Sequence, residues 1–180
     1  MTAIIGLVDG SDVWLAGDST VSIGDNLRYA LADGKIVRKG EMLIGVAGSI
    51  HALNAVRHGL VLAPQLKGID DDRYIIREVA GQIRALLAAG EDNDNDDLDS
   101  DNECNLVVAY RGKLYVTYGD LDFIRVTLPY VAIGSGTAFA LGALAAQKSV
   151  INPENRLHIA LEVAAAFCSS VGAPFTVEKL

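Results

Sequence analysis

Two periods alternate along this chain. Residues 2–8 form a short apolar run, the turn signal Asp9-Gly10-Ser11-Asp12 follows, and Val13-Trp14-Leu15-Ala16 is a second run. Short apolar runs on either side of an Asp/Gly turn predict a β-hairpin. Lys35–Arg38 and Met42–Val46, around Lys39-Gly40-Glu41, predict another, and residues 106–110 and 114–118, around Arg111-Gly112-Lys113, a third. Residues 22–33 show no clear period. At Ser49, a residue suited to an N-cap, the period becomes helical, with Ile50, Leu53, Val56 and Leu60 on one face up to Pro64. A second helix starts at Asp70–Asp72, whose acids complement a helix N-terminus. Its apolar face is Ile75, Ile76, Val79, Ile83, Leu86 and Leu87.

The second half repeats the scheme. Residues 123–127 read as a short strand and 130–133 as a buried one. Gly134-Ser135-Gly136 turns into an Ala-rich helix running to Ser149. Asn152-Pro153-Glu154 separates it from a last helix ending at Val171, and residues 175–177 close as a strand. Strands joined by hairpins, interleaved with helices in pairs, predict an α+β fold. Two antiparallel sheets lie between helix pairs, a four-layer αββα sandwich. At 180 residues, one domain over 1–180 is expected.

Composition narrows the function. The chain is 51% apolar, so it is globular. The eight acidic side chains of the segment 91–103 equal the whole net charge of −8. The acidity is therefore one loop, and with no basic stripe a nucleic-acid partner is not expected. The uncharged run Val126–Gln147 has the length of a membrane span. Pro129, the Gly-Ser-Gly turn and the change of period make it a strand, turn and helix, so no membrane is expected. No basic, apolar leader is read at the start, and Cys104 and Cys168 form neither a disulfide framework nor a metal-ligand spacing. These features point to the cytoplasm. Asp92, Asp94, Asp96, Ser100 and Glu103 imitate a calcium loop, but Asp97 stands where such loops need Gly. A solvated acidic loop is the better reading, with a calcium-responsive module the weaker one. Gly134-Ser135-Gly136 is not a dinucleotide turn, because Phe139 stands where Gly or Ala is needed. His51, His58 and His158 carry no site signal.

The candidate chemistry starts at Thr2. Once Met1 is removed, this residue carries both a hydroxyl nucleophile and a base, its own α-amine. That amine titrates near ~7.7–8.0, close to what general-base work at neutral pH needs. If Met1 stays, the terminal amine lies about 3.8 Å further along the chain and Thr2 loses its base. Asp18 ends the second strand after Ala16-Gly17, Lys35 opens the next hairpin, and Ala47-Gly48-Ser49 and Gly134-Ser135-Gly136 each lead into a helix. Alone, Asp18 and Lys35 read as a structural ion pair.

In this order the chain resembles the proteasome β-subunit family, most closely the bacterial HslV-type peptidases. The resemblance covers nearly the whole chain: the Thr start, Ala-Gly-Asp-Ser, Lys-Ile-Val, the Ala-Gly turn, Ile-Gly-Ser-Gly with its Ala-rich helix, and the tail Phe-Thr-Val-Glu-Lys-Leu. It implies the N-terminal-nucleophile hydrolase fold and a threonine-type endopeptidase. Thr2 would be the nucleophile and Lys35 the cation beside its Oγ. Asp18 would hold Lys35, Gly48 would offer its N–H to the oxyanion, and Ser135 would orient the amine. Val46 would line an apolar substrate pocket. No cofactor and no metal are implied. A homo-oligomeric ring, polypeptide substrates and an unfoldase ATPase are. Two departures stand out. The Asp18–Lys35 spacing is one residue longer than the family's, and Ala165 and Cys168 occupy places where proteasome β-subunits carry an Asp and a Ser. The alternatives are an inactive ring or scaffold protein of the same fold and an amidohydrolase acting on a small amide.

Overall fold

The hairpins form where the turns predict them. In a computed structural model, which describes residues 2–23, 27–89, 104–118, 121–147 and 152–180, β1 (Ile4–Asp9) and β2 (Asp12–Asp18) pair antiparallel with Ile4 opposite Gly17. β3 (Thr20–Ile23) and β4 (Leu27–Ala30) make a small separate hairpin. β5 (Ile36–Lys39) and β6 (Met42–Ala47) pair next, then β7 (Asn105–Tyr110), β8 (Lys113–Tyr118) and β9 (Asp122–Arg125). β10 (Tyr130–Ile133) and β11 (Phe175–Lys179) return to the first strands. One sheet has the order β10-β1-β2-β11 and the other β5-β6-β7-β8-β9, with every pair antiparallel.

Alternation along each strand builds the layers, since successive side chains face opposite sides of a sheet. Ala3, Ile5 and Leu7 face one helix layer, whereas Ile4 packs with Leu15, Leu43, Val107 and Leu114 between the sheets. In β6, Ile44 and Val46 face the other helix layer while Leu43 and Ala47 face inward. The first helix layer is α1 (Ile50–Asn54), widening into a π turn over Ala55–Gly59, with α2 (Asp71–Arg73), a π segment over Tyr74–Val79 and α3 (Ala80–Ala88). The second is α4 (Thr137–Ala146) and α5 (Pro153–Phe167). The Ser49 side chain accepts the His51 N–H at 3.1 Å and Asp70 accepts that of Arg73 at 2.9 Å, so both expected starts are capped. The fold is the four-layer αββα sandwich. None of the described helices is long and apolar enough to cross a membrane.

Residues 22–33, which show no clear period, hold the end of β3 and all of β4, and all of Leu27–Ala30 is exposed, so no buried face imposes alternation there. Two expectations are corrected. The last helix stops at Phe167, not Val171, and Cys168 leaves it in extended conformation. Ile50 is 39% exposed because the first turn of α1 borders an open cleft. The acidic segment 91–103, its calcium-loop reading, and Met1 lie outside the described residues.

Candidate active site

Strand register brings the first residues together. Because Ile4 lies opposite Gly17, Asp18 lies beside Ala3. The Asp18 N–H donates to the Ala3 carbonyl at 3.1 Å, and the Ala3 N–H donates to Asp18 Oδ1 at 3.0 Å. The Thr20 N–H donates to the other carboxylate oxygen at 3.1 Å. Lys35 precedes the edge strand β5, where its carbonyl accepts the Val46 N–H at 3.0 Å. Its Nζ donates to Asp18 Oδ1 and to Thr2 Oγ1, each at 2.9 Å. Thr2, Asp18 and Lys35 are all buried, Asp18 completely. Burial pushes the Lys35 ammonium below its ordinary pKa, and the Asp18 carboxylate opposes that shift without cancelling it.

The far side of Thr2 is held by the turn before α4. The Thr2 N–H donates to Ser135 Oγ at 3.2 Å, and the Thr2 carbonyl accepts from Ser135 Oγ at 3.3 Å and from the Gly136 N–H at 3.2 Å. In this chain the Thr2 nitrogen is an amide carrying Met1; it becomes the α-amine when that bond is cut. Gly134 has φ +90°, and a Cβ there would run into the Thr2 carbonyl, so only glycine lets the turn come this close. Gly48, with φ +115°, lines an open cleft of ≈ 100 Å³ with Thr2, Lys35, Val46, Ile50 and Leu53. All six sequence-predicted residues therefore meet at one end of the sandwich.

One member of the site escaped the sequence. Ser170 is buried, its Oγ lies 2.9 Å from Ser135 Oγ, and Cys168 Sγ approaches the two hydroxyls at 3.2 Å (Ser170) and 3.6 Å (Ser135). Burial works to raise the Cys168 thiol's pKa, but hydrogen bonds with Ser170 and Ser135 outweigh it and hold the thiol below its ordinary value. Ala165, by contrast, packs within α5 against the sheet. The only sequence signal was the pair Ser169-Ser170 after an Ala-rich helix, which does not say which serine turns inward. Among the described residues no group of three or more His, Cys, Asp or Glu is placed to hold a metal ion.

Comparison with known proteins adds the decisive observation. No protein-family model matches the chain. It is 26% identical to the ATP-dependent protease subunit HslV of Caldicellulosiruptor saccharolyticus over 99% of this chain and 98% of that one. It is 27% identical to the subunit of the same name from Rickettsia typhi over 99% and 94%. Over nearly its full length the chain is similar to HslV-type peptidase subunits. Solved structures agree on the fold. Thiobacillus denitrificans BPH in complex with epoxomicin superposes with a TM-score of 0.74 at 18% identity, covering 99% of this chain and 97% of that one. Eukaryotic HslV from Trypanosoma brucei gives 0.67 at 22%, covering 99% and 98%. This full-length likeness supports a peptidase, and the Thr2 cluster is where peptide-bond chemistry is to be sought.

Proposed function

We propose that this chain is a threonine endopeptidase whose nucleophile is Thr2, exposed as an N-terminal residue by cleavage of the Met1–Thr2 bond. The observation that carries this reading is Lys35 Nζ, buried and donating at 2.9 Å to both Thr2 Oγ1 and Asp18 Oδ1. A buried ammonium is costly unless paired, and here one of its partners is the hydroxyl that must lose a proton. The freed α-amine takes the Thr2 Oγ proton as Oγ attacks the substrate carbonyl, and Lys35 stabilises the negative charge on Oγ. The Gly48 N–H, at the start of a helix where donors lack intrahelical partners, receives the developing oxyanion. The amine then returns its proton to the leaving nitrogen, an ester remains on Thr2, and water hydrolyses it. Ser135 orients the amine, and Val46 lines the pocket for an apolar side chain before the scissile bond. None of these steps calls for a cofactor.

The same reading extends to assembly. The chain acts as one domain over 1–180 within a cytoplasmic homo-oligomeric ring that encloses the sites. It degrades polypeptides delivered by an ATP-driven unfoldase, as the relatives' name, ATP-dependent protease subunit, suggests. An inactive scaffold has no use for a desolvated lysine aimed at a threonine hydroxyl.

The test is intact mass before and after treatment with a peptide epoxyketone, which reacts with the hydroxyl and amine of a single N-terminal residue. Loss of Met1 with one adduct, absent in Thr2→Ala, is expected. Loss of Met1 with no adduct would favour the scaffold.

A further inference from the structure

Lys35 must hold its Nζ within hydrogen-bond reach of Thr2 Oγ, and the strand it introduces lies at the edge of its sheet. Among the described residues β5 is an edge strand, and its strand pairing is with β6. The loop before it turns through Gly34 at φ +62°. A half-buried residue of the helix layer reaches this loop. The Arg57 guanidinium, through Nη2, donates to the Gly34 carbonyl at 2.8 Å and to the Asp33 carbonyl at 3.2 Å, the two carbonyls immediately before Lys35. The other end of β5 is tied to the same residue, because Lys39 Nζ donates to the Arg57 carbonyl at 2.9 Å. Arg57 lies in the π turn Ala55–Gly59, where the Leu60 N–H reaches back to the Ala55 carbonyl at 3.0 Å. Such widened turns recur at functional sites. Val56 and Leu60, on either side, are anchored in the core against Val46 and Ile75. One rigidly seated residue thus grips both ends of the strand that carries the lysine.

We propose that Arg57 is a positioning residue for Lys35, clamping β5 from both ends so that the lysine's Nζ stays on Thr2 Oγ. The inference rests on the reading of Thr2 as nucleophile. A guanidinium suits the task better than an ammonium, because its rigid plane fixes the directions of the two Nη2 hydrogens that serve the neighbouring carbonyls, whereas an ammonium rotates freely. A rearrangement of about 1 Å at a reacting group costs roughly 10²-fold in rate, so a loosened strand end is felt in the chemistry before it is felt in the fold.

The test measures the rate of epoxyketone adduct formation on the full chain by intact mass, across pH, for wild type, Arg57→Met, Arg57→Lys, Lys39→Met and Asn54→Gly. Arg57→Met keeps the aliphatic stem and is expected to slow the reaction roughly 10²-fold. Arg57→Lys should recover part of the rate, and Lys39→Met should slow it less than Arg57→Met. Among the described groups, Asp18 from β2 and Thr2 before β1 face the Lys35 ammonium. A lysine released from them toward water regains a higher pKa, so the alkaline limb of the Arg57→Met profile should move up. Asn54→Gly loosens the same helix without touching either contact and should react at the wild-type rate. The proposal is overturned if Arg57→Met reacts like wild type. It is equally overturned if Arg57→Met slows no more than Asn54→Gly with an unmoved pH profile. Should Arg57→Met fail to fold, Arg57→Lys and Lys39→Met decide by the same criteria. Absence of any adduct on the wild-type chain overturns the threonine reading and this inference together, an outcome distinct from wild type reacting and Arg57→Met reacting equally.

Discussion

Lysine meets aspartate at both ends of the five-stranded sheet, and the two meetings differ in what surrounds them. At one end Lys35 and Asp18 are paired at 2.9 Å with side chains 4% and 0% exposed. At the other, around the turns β5–β6 and β7–β8, Asp71 and Asp72 at the start of α2 share Lys113, Arg111 and Arg125 in a partly solvated net, with Glu41 at its rim. There the carboxylates win. Hydrogen bonds from Tyr115 and Arg125 outweigh burial and hold Asp72 below its ordinary value. Asp71 is held down against its burial by Lys113 and Gln65. In the buried pair the lysine is pushed down by desolvation. The same side chains fasten a helix to a sheet in one place and form a desolvated pair beside the Thr2 hydroxyl in the other, and access to water separates the two.

The sharpest break of this contrast is Lys35→Met, which strands a fully buried carboxylate. It should cost about 3–5 kcal/mol in urea unfolding and abolish peptide hydrolysis; a variant that is merely inactive but equally stable would show that the pair is not desolvated. Proton linkage gives a second difference. Between the depressed folded pKa of Lys35 and its unfolded value near 10.5, the unfolded chain binds more protons. This lysine's share of stability therefore rises with pH through that window. Wild type should gain on Lys35→Met as pH climbs, read from paired urea midpoints.

Smaller effects are expected at the other end. Tyr115 is fully buried, its hydroxyl donates to Asp72 Oδ1 at 2.7 Å, and burial together with that carboxylate raises its pKa. Tyr115→Phe should cost about 1 kcal/mol and leave peptide turnover unchanged. Its folded pKa lies above the unfolded 10.0, so this contribution is lost as pH rises past that point, opposite in sign to Lys35. Arg111→Ala, at an exposed pair, should change stability by no more than ~1 kcal/mol. A larger loss would mean that the solvated net is more closed than its exposure indicates.

The fold was legible wherever at least one face of an element is buried. β1, β2, β6 and β7 announce themselves as apolar runs bounded by turns, because both their faces are covered, one by helices and one by the other sheet. The β3–β4 hairpin was not legible, since its exposed residues answer to no core. In the site, Thr2 could be picked out by its own chemistry, while Asp18, Lys35, Gly48 and Ser135 could be picked out because the resemblance to the HslV-type peptidases gives each a role. Ser170 and Arg57 could not. Ser170 lies in a turn whose path depends on where α5 stops, and Arg57 acts through main-chain carbonyls, which leave no mark on residue types.

The Thr2 carbonyl is fastened by Ser135 and Gly136, its hydroxyl by Lys35, and its nitrogen rests on Ser135. All of these bonds are in place while the nitrogen is still an amide. Cutting the bond before Thr2 breaks none of them. On the reading proposed above, the chain folds as a precursor, and the removal of one residue frees an amine that its neighbours already hold.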